Sequence, residues 1–285
     1  METFMLQKVK DLENYVLRAS DGEIGKAKDF LFDDEKWTVR YLVADTGSWL
    51  SSRKVLISPH AMQPTIEGGL AICVNLTKQQ IEAGPSLESH QPISRQFEDE
   101  YYSFYGWPYY GNGAYLWGNS PYLAGAGPTG LHAAESYADE REKAAQMGRK
   151  GGPSDHSLRS MNEVTGYHIH ATDGDLGHIE DFIVDQENWL IRYLVVDTKN
   201  WWPGKHVLVS PQWIDRVSWE EAKIFVNVSK AVVLGSPEYT PQALNPDYET
   251  RLFANYDNQD YRLNQANEDA DPVGNREHEE ILNVY

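Results

Sequence analysis

The chain has a single cysteine, Cys73, in 285 residues. One thiol cannot close an internal disulfide or supply a cysteine-based metal cluster, which fits a reducing compartment. Long apolar runs are also missing. No stretch reaches the roughly 18 apolar residues of a membrane span, and charge interrupts the first ten residues too early for a signal-peptide core. Basic charge is scarce, with 25 Lys plus Arg against 43 Asp plus Glu and a net charge of −18. A field of that sign repels polyanions, so nucleic acid is not an expected partner. These absences predict a cytoplasmic protein without membrane insertion, and leave peripheral membrane association open.

Catalytic signatures are missing as well. There is no HExxH, P-loop, nucleophile elbow or CxxC motif. Residues 125–130 match the letters of a dinucleotide loop, but no buried strand precedes them and Pro128 restricts the turn, so they read as an ordinary loop. The expectation is a protein that is not an enzyme and carries no cofactor.

What the sequence does contain is itself, twice. Residues 21–59 align without a gap on residues 173–211 at an offset of 152, with 19 of 39 positions identical. The matched pairs include Asp21/Asp173, Gly25/Gly177, Asp29/Asp181, Phe30/Phe182, Trp37/Trp189, Arg40/Arg192, Tyr41/Tyr193, Asp45/Asp197 and Trp49/Trp201, and the similarity starts at Tyr15/Tyr167. Such internal identity points to duplication.

Each copy has the periodicity of strands. Tyr15, Leu17 and Ala19 alternate with Val16, Arg18 and Ser20, and Asp21-Gly22 predicts a hairpin turn. The next strand, from Ile24 to Asp33, changes its apolar frame between Ala27 and Phe30, which predicts a bulge. Val39 to Asp45 is apolar at nearly every position and predicts a strand buried on both faces. A strand at Val55–Ile57 stops at Ser58-Pro59. Two short runs follow, near Met62–Ile66 and Ala71–Leu76, around a turn at Glu67-Gly68-Gly69. Closely spaced short strands without crossover helices predict a mainly β fold of two small antiparallel β-barrels in tandem.

Residues Asp21-Gly22, Gly25, Asp29-Phe30, Trp37, Arg40 to Val43, Asp45-Thr46, Trp49, Val55-Leu56 and Ser58-Pro59, with their second-copy counterparts, resemble the PRC-barrel family. That family includes the barrel in the cytoplasmic domain of a purple bacterial photosynthetic reaction-centre subunit and the C-terminal barrel of a ribosome maturation factor. The arrangement also resembles tandem PRC-barrel proteins of bacteria, in which a short aromatic helix follows each barrel. The resemblance implies a partner-binding barrel without an active site. It covers the two copies and leaves the linker and tail outside; the membrane helix of the reaction-centre protein and the N-terminal domain of the ribosome factor have no counterpart.

The expected organisation is a first PRC-barrel-like domain at 1–87, an aromatic helix and Gly/Tyr/Trp-rich linker at 88–158, a second domain at 159–240, and a helix with an acidic tail at 241–285. Ser94 precedes Phe97, Tyr101, Phe104 and Tyr105, and Asn245-Pro246 precedes Tyr248, Leu252 and Tyr256 at an offset of 151. These spacings predict two capped helices, each with an aromatic stripe. Residues 97–122 hold 11 aromatics in 26 positions. Such a segment either folds back on a barrel or forms a recognition arm, because Tyr and Trp give large contact area at small entropic cost. The partner-binding candidates are Tyr101, Tyr105, Trp107, Tyr109, Tyr110, Trp117, Leu252 and Tyr256. A further helix is expected at 135–147, and disorder beyond Asn264.

Two polar groups could carry chemistry. His168, His170 and His178 share the first hairpin of the second copy and are the candidate metal ligands; parity places His168 and His170 opposite Tyr167, Ile169 and Ala171, as solvent-facing substitutions. Asp29/Asp181, Asp33/Asp185 and Asp45/Asp197 recur, but a general acid and base must converge on a pocket, so strand ends, turn caps and pairing with Arg40 and Arg192 are expected instead. The function expected first is a non-catalytic scaffold or adaptor that binds a protein partner or self-associates. Alternatives are a small-ligand or metal sensor using the hairpin histidines with Trp49 and Trp201, or an accessory of photosynthetic or membrane electron transport by family resemblance. By region the net charge is −2 over 1–87, −3 over 88–160, −6 over 161–240 and −7 over 241–285. A basic partner should therefore prefer the C-terminal half.

Overall fold

The computed structural model describes residues 6–47, 49–50, 53–63, 69–85, 93–111, 113, 115–120, 123, 158–198 and 204–256. The first repeat comprises β1 (Leu6–Lys8), α1 (Val9–Leu12), β2 (Val16–Ala19), β3 (Gly22–Asp33), β4 (Thr38–Asp45), β5 (Lys54–Ile57), a 3-10 turn (Pro59–Ala61), β6 (Ala71–Cys73), α2 (Lys78–Ala83) and α3 (Arg95–Tyr105). The second comprises β7 (Leu158–Ser160), α4 (Met161–Val164), β8 (His168–Ala171), β9 (Gly174–Asp185), β10 (Ile191–Asp197), β11 (His206–Val209), a 3-10 turn (Pro211–Trp213), β12 (Ile214–Ser218), β13 (Lys223–Val226), α5 (Lys230–Gly235) and helix α6 over 246–256. The expected helix at 135–147, the loop at 125–130 and the tail beyond Asn264 lie outside the described residues.

The expectation of closed antiparallel barrels is corrected. The strands form two mixed sheets, ordered β5-β4-β3-β2-β6 with β7 on β3, and β11-β10-β9-β8-β13-β12 with β1 on β9, and neither closes on itself. The reason lies past the Ser-Pro stops. There the chain crosses over and returns parallel, so β6 pairs with β2 and β13 with β8 in parallel registers.

Local predictions follow the residues closely. The hairpin loop is Ser20-Asp21, one residue earlier than expected, and Gly22 opens β3 opposite Ala19 at φ +141°. Asp21 instead accepts the Lys78 main-chain N–H at 2.8 Å, and Asp173 accepts that of Lys230 at the same distance. Each hairpin thereby fixes the start of its following helix. The predicted bulge is present, since β3 shifts register against β4 between Ala27 and Asp29. Gly25 is required by approach: its φ is +132°, and an added Cβ would fall on the Asp45 carbonyl. Strand β4 is buried along nearly its whole length, as its apolar run demands.

Compactness divides the chain into two units. One holds residues 1–166 and 179–194, the other residues 167–178 and 195–285. The first is built on Phe30, Phe32, Tyr41, Leu42, Phe182, Ile183 and Trp189, all buried. The second is built on Ile169, Leu176, Val196, Leu208, Ile224, Val233 and Leu252, also buried. In that unit the Trp213 and Tyr256 rings stack at 3.5 Å, and the Tyr256 hydroxyl donates to the Leu208 carbonyl.

Candidate functional site

Helix α3 starts where Ser94 Oγ accepts the Phe97 N–H, and it ends at Gly106 in the left-handed region at φ +71°. Its aromatic stripe lies on the sheet of its own unit. The Tyr101 hydroxyl donates to the Leu56 carbonyl at 3.0 Å and accepts the Ser58 N–H at 3.1 Å. Tyr102 meets Ser58 Oγ at 3.4 Å. In the other unit Tyr248, whose N–H is capped by Asn245, bonds the Pro237 carbonyl. Tyr101 and Tyr256 thus serve equivalent carbonyls, Leu56 and Leu208, although the sequence offset aligns Tyr256 with Tyr105. A slip of one turn keeps the same helix face.

The aromatic segment after α3 folds back, which decides between the two expected alternatives for its described part. Glu98, 3% exposed, gathers three phenols: Tyr41 and Tyr109 donate at 3.1 Å each, and Tyr110 donates to the same carboxylate. Arg40, fully buried, donates to Asp33 Oδ2 at 2.8 Å and to the Leu116 carbonyl at 2.6 Å. Its guanidinium lies 3.9 Å from the Tyr110 ring centre and 4.8 Å from that of Trp117. Lys36 Nζ ties the Gly113 and Tyr115 carbonyls, and Trp117 Nε1 donates to the Asn188 carbonyl. Burial pushes the Tyr41, Tyr101, Tyr102 and Tyr110 hydroxyls up, so they remain neutral donors. Burial also pushes Tyr105 up, to about 12, against the pull of Arg53.

Of the residues expected to meet a partner, Tyr101, Tyr109, Tyr110, Trp117, Leu252 and Tyr256 are therefore buried inside their own units, and all but the aliphatic Leu252 are hydrogen-bonded there. A partner cannot reach them without opening the fold. Tyr105 and Trp107 are half-exposed, stacked at 4.7 Å with planes 15° apart, and Phe104 beside them is 48% exposed. These three form the accessible aromatic ridge.

The hairpin histidines separate into different roles. His168 and His178 are cross-strand partners, while His170 Nε2 lies 2.7 Å from Asp175 Oδ1 and packs on Phe225. Among the described residues no group of three His, Cys, Asp or Glu is arranged to hold a metal ion. Trp49 lies 5.4 Å from Lys78 Nζ, and Trp201 is outside the described residues.

Sequence reasoning missed an exchange between the repeats, all of it inside the first unit. Strand β1 of the first repeat pairs with β9 of the second, and β7 of the second pairs with β3 of the first. The two seams match position for position. Asp181 accepts the Lys10 N–H and faces Lys8 Nζ at 3.4 Å; Asp29 accepts the Asn162 N–H and the Ser160 hydroxyl, each residue again 152 positions from its counterpart. Trp37 and Trp189, at φ +49° and +58°, turn their carbonyls to Ile191 N–H and Val39 N–H, both at 2.8 Å. That reciprocal pair accounts for a strained conformation occurring at both tryptophans. Phe30 stacks on Trp189 and Phe32 meets Phe182, both at 6.0 Å.

Three of the recurring carboxylates, Asp29, Asp33 and Asp181, are tied into the fold by hydrogen bonds. Burial raises both Asp29 and Asp181, although their hydrogen bonds pull the other way. Asp33 is also pushed up by burial, but the Arg40 guanidinium and the N–H groups of Lys36 and Glu35 hold it below its ordinary value. The repeat's faint N-terminal extension, Leu6/Leu158, Val9/Met161 and Leu12/Val164, signalled the extra strand and helix. Nothing in it told which repeat each would cover.

With this geometry in place, the PRC-barrel domain family matches residues 161–233, from α4 into α5. No curated protein matches the chain.

Proposed function

We propose that the chain is a non-catalytic interaction scaffold built from two PRC-barrel modules, the second matched directly and the first its duplicate. The duplication supports this, because equivalent residues perform equivalent structural tasks in both repeats, from Asp21 and Asp173 at the helix starts to Asp29 and Asp181 at the seams. The observation that carries the reading is the ridge of Phe104, Tyr105 and Trp107, apolar area left accessible at the C-terminal end of a helix whose Tyr101 and Tyr102 are buried. Its partner is a protein, in keeping with a chain whose charge of −18 repels nucleic acid.

Crosslinking with mass spectrometry on the full chain in its native extract tests this. Reproducible crosslinks near residues 104–107, lost in a Phe104→Ser, Trp107→Ser double variant that unfolds at the wild-type urea midpoint, are expected. A strictly monomeric protein with no reproducible partner would sink the proposal.

A further inference from the structure

We propose that the two exchange seams also join two copies of this chain, the first repeat of one molecule closing on the second repeat of another. This deepens the scaffold reading by naming a second copy as a partner, and it stands on different residues from the aromatic ridge.

Each seam takes its strand and helix from one repeat and its receiving strand from the other: β1 and α1 on β9, β7 and α4 on β3. None of the seam contacts described above uses residues 121–157, the 37 residues that follow Ser120 and precede β7. A body assembled from two molecules therefore keeps every one of them. The Asn162 and Lys10 N–H groups still find Asp29 and Asp181, and the Trp37 and Trp189 carbonyls still exchange with Ile191 and Val39. The contacts are equal in the two arrangements, so concentration alone sets the balance.

The connecting length, up to roughly 120 Å when extended, is ample for either arrangement. Carrying two binding modules on one chain sets their mutual effective concentration at the order of one millimolar. Reciprocal exchange between two molecules forms two complete bodies and closes the assembly.

The test uses two full-length single-cysteine chains in a Cys73→Ser background, one Leu31→Cys and the other Ser160→Cys, with one chain isotopically labelled. Leu31 and Ser160 are cross-strand partners in the β3–β7 register, close enough for a disulfide. The chains are co-refolded and oxidised at about 10 μM and about 500 μM. A disulfide between residues 31 and 160 of different molecules is expected in about 1% of chains at the lower concentration and at least tenfold more at the higher. The double variant on one chain should close as a monomer at the lower concentration. A Gln7→Cys with Val184→Cys pair reads the other seam independently, in case one substitution impairs folding. The proposal is overturned if the double variants close but the mixed chains form no interchain bond at 500 μM. Failure of both double variants to close would overturn the seams themselves. Neither result bears on the crosslinks at residues 104–107.

Discussion

Replacing Arg40 by Met removes a fully buried cation while keeping much of its apolar stem. The loss includes the 2.8 Å pair with Asp33, the 2.6 Å bond to the Leu116 carbonyl and the stacking on Tyr110 and Trp117. Breaking a buried ion pair from one side costs about 3–5 kcal/mol, because the remaining charge is left desolvated. Each cation–π contact adds about 1 kcal/mol. Asp33 keeps two main-chain donors, Glu35 and Lys36, and Met recovers some packing, so about 4 kcal/mol at pH 7 is expected. The pH dependence follows from Asp33, whose carboxyl is held low in the wild type. A depressed carboxyl contributes stability that is full above its unfolded value of about 3.9 and is lost as pH falls through the folded value. In R40M burial raises that carboxyl instead, and it is neutralised at higher pH. The stability gap between the two proteins therefore narrows in acid. Urea unfolding followed by tryptophan fluorescence at pH 7 and pH 3.5 measures the gap at each. A gap below about 1 kcal/mol at pH 7, or one unchanged at pH 3.5, would refute the assignment of Arg40 and Asp33 as a buried, mutually dependent pair.

Two other perturbations separate the roles of the remaining buried groups. Asp29→Asn keeps an acceptor for Asn162 and removes a carboxyl whose value burial has raised, so it should change stability by less than about 1 kcal/mol; Asp29→Ala leaves the Asn162 N–H and Ser160 hydroxyl without acceptors and should cost about 2–3 kcal/mol. In line with the raised carboxyl, which favours the folded state in acid, the penalty of retaining Asp29 over Asn should shrink as pH falls through the folded value towards the unfolded one of about 3.9. The buried phenols act at the other end of the scale: a Tyr raised in the fold makes stability fall once pH exceeds its unfolded value of about 10. Absorbance at 295 nm should therefore show a share of the chain's 17 tyrosines ionising only together with unfolding, and ionisation of all of them near pH 10 in the folded protein would contradict this burial.

Much of the fold was legible because it rests on near-neighbour chemistry. The bulge near Ala27, the twice-covered β4, the stop at Ser58-Pro59, and the caps at Ser94 and Asn245 all follow from residues within a few positions of one another. The aromatic helices were legible as helices, but their faces were not assignable. Tyr101, Tyr110 and Trp117 look like contact residues by composition, and only the position of Glu98, Arg40 and Ser58 beneath them shows that they are held inside. The closed barrels were misread for the same reason, since strand periodicity reports which side chains face a core and says little about the direction in which a later strand returns.

A segment repeated at an offset of 152, a mainly β architecture, an acidic chain and two capped aromatic helices are properties of the sequence by itself, because composition, internal identity and short-range periodicity determine them. Which repeat supplies the strand beside β3 and β9 was decided only in three dimensions. Equivalent segments carry the same apolar spacing and could pair at home or across. The choice depends on long-range closure, where the Trp37 and Trp189 carbonyls and the Asp29 and Asp181 carboxyls find their donors 131 to 171 residues away.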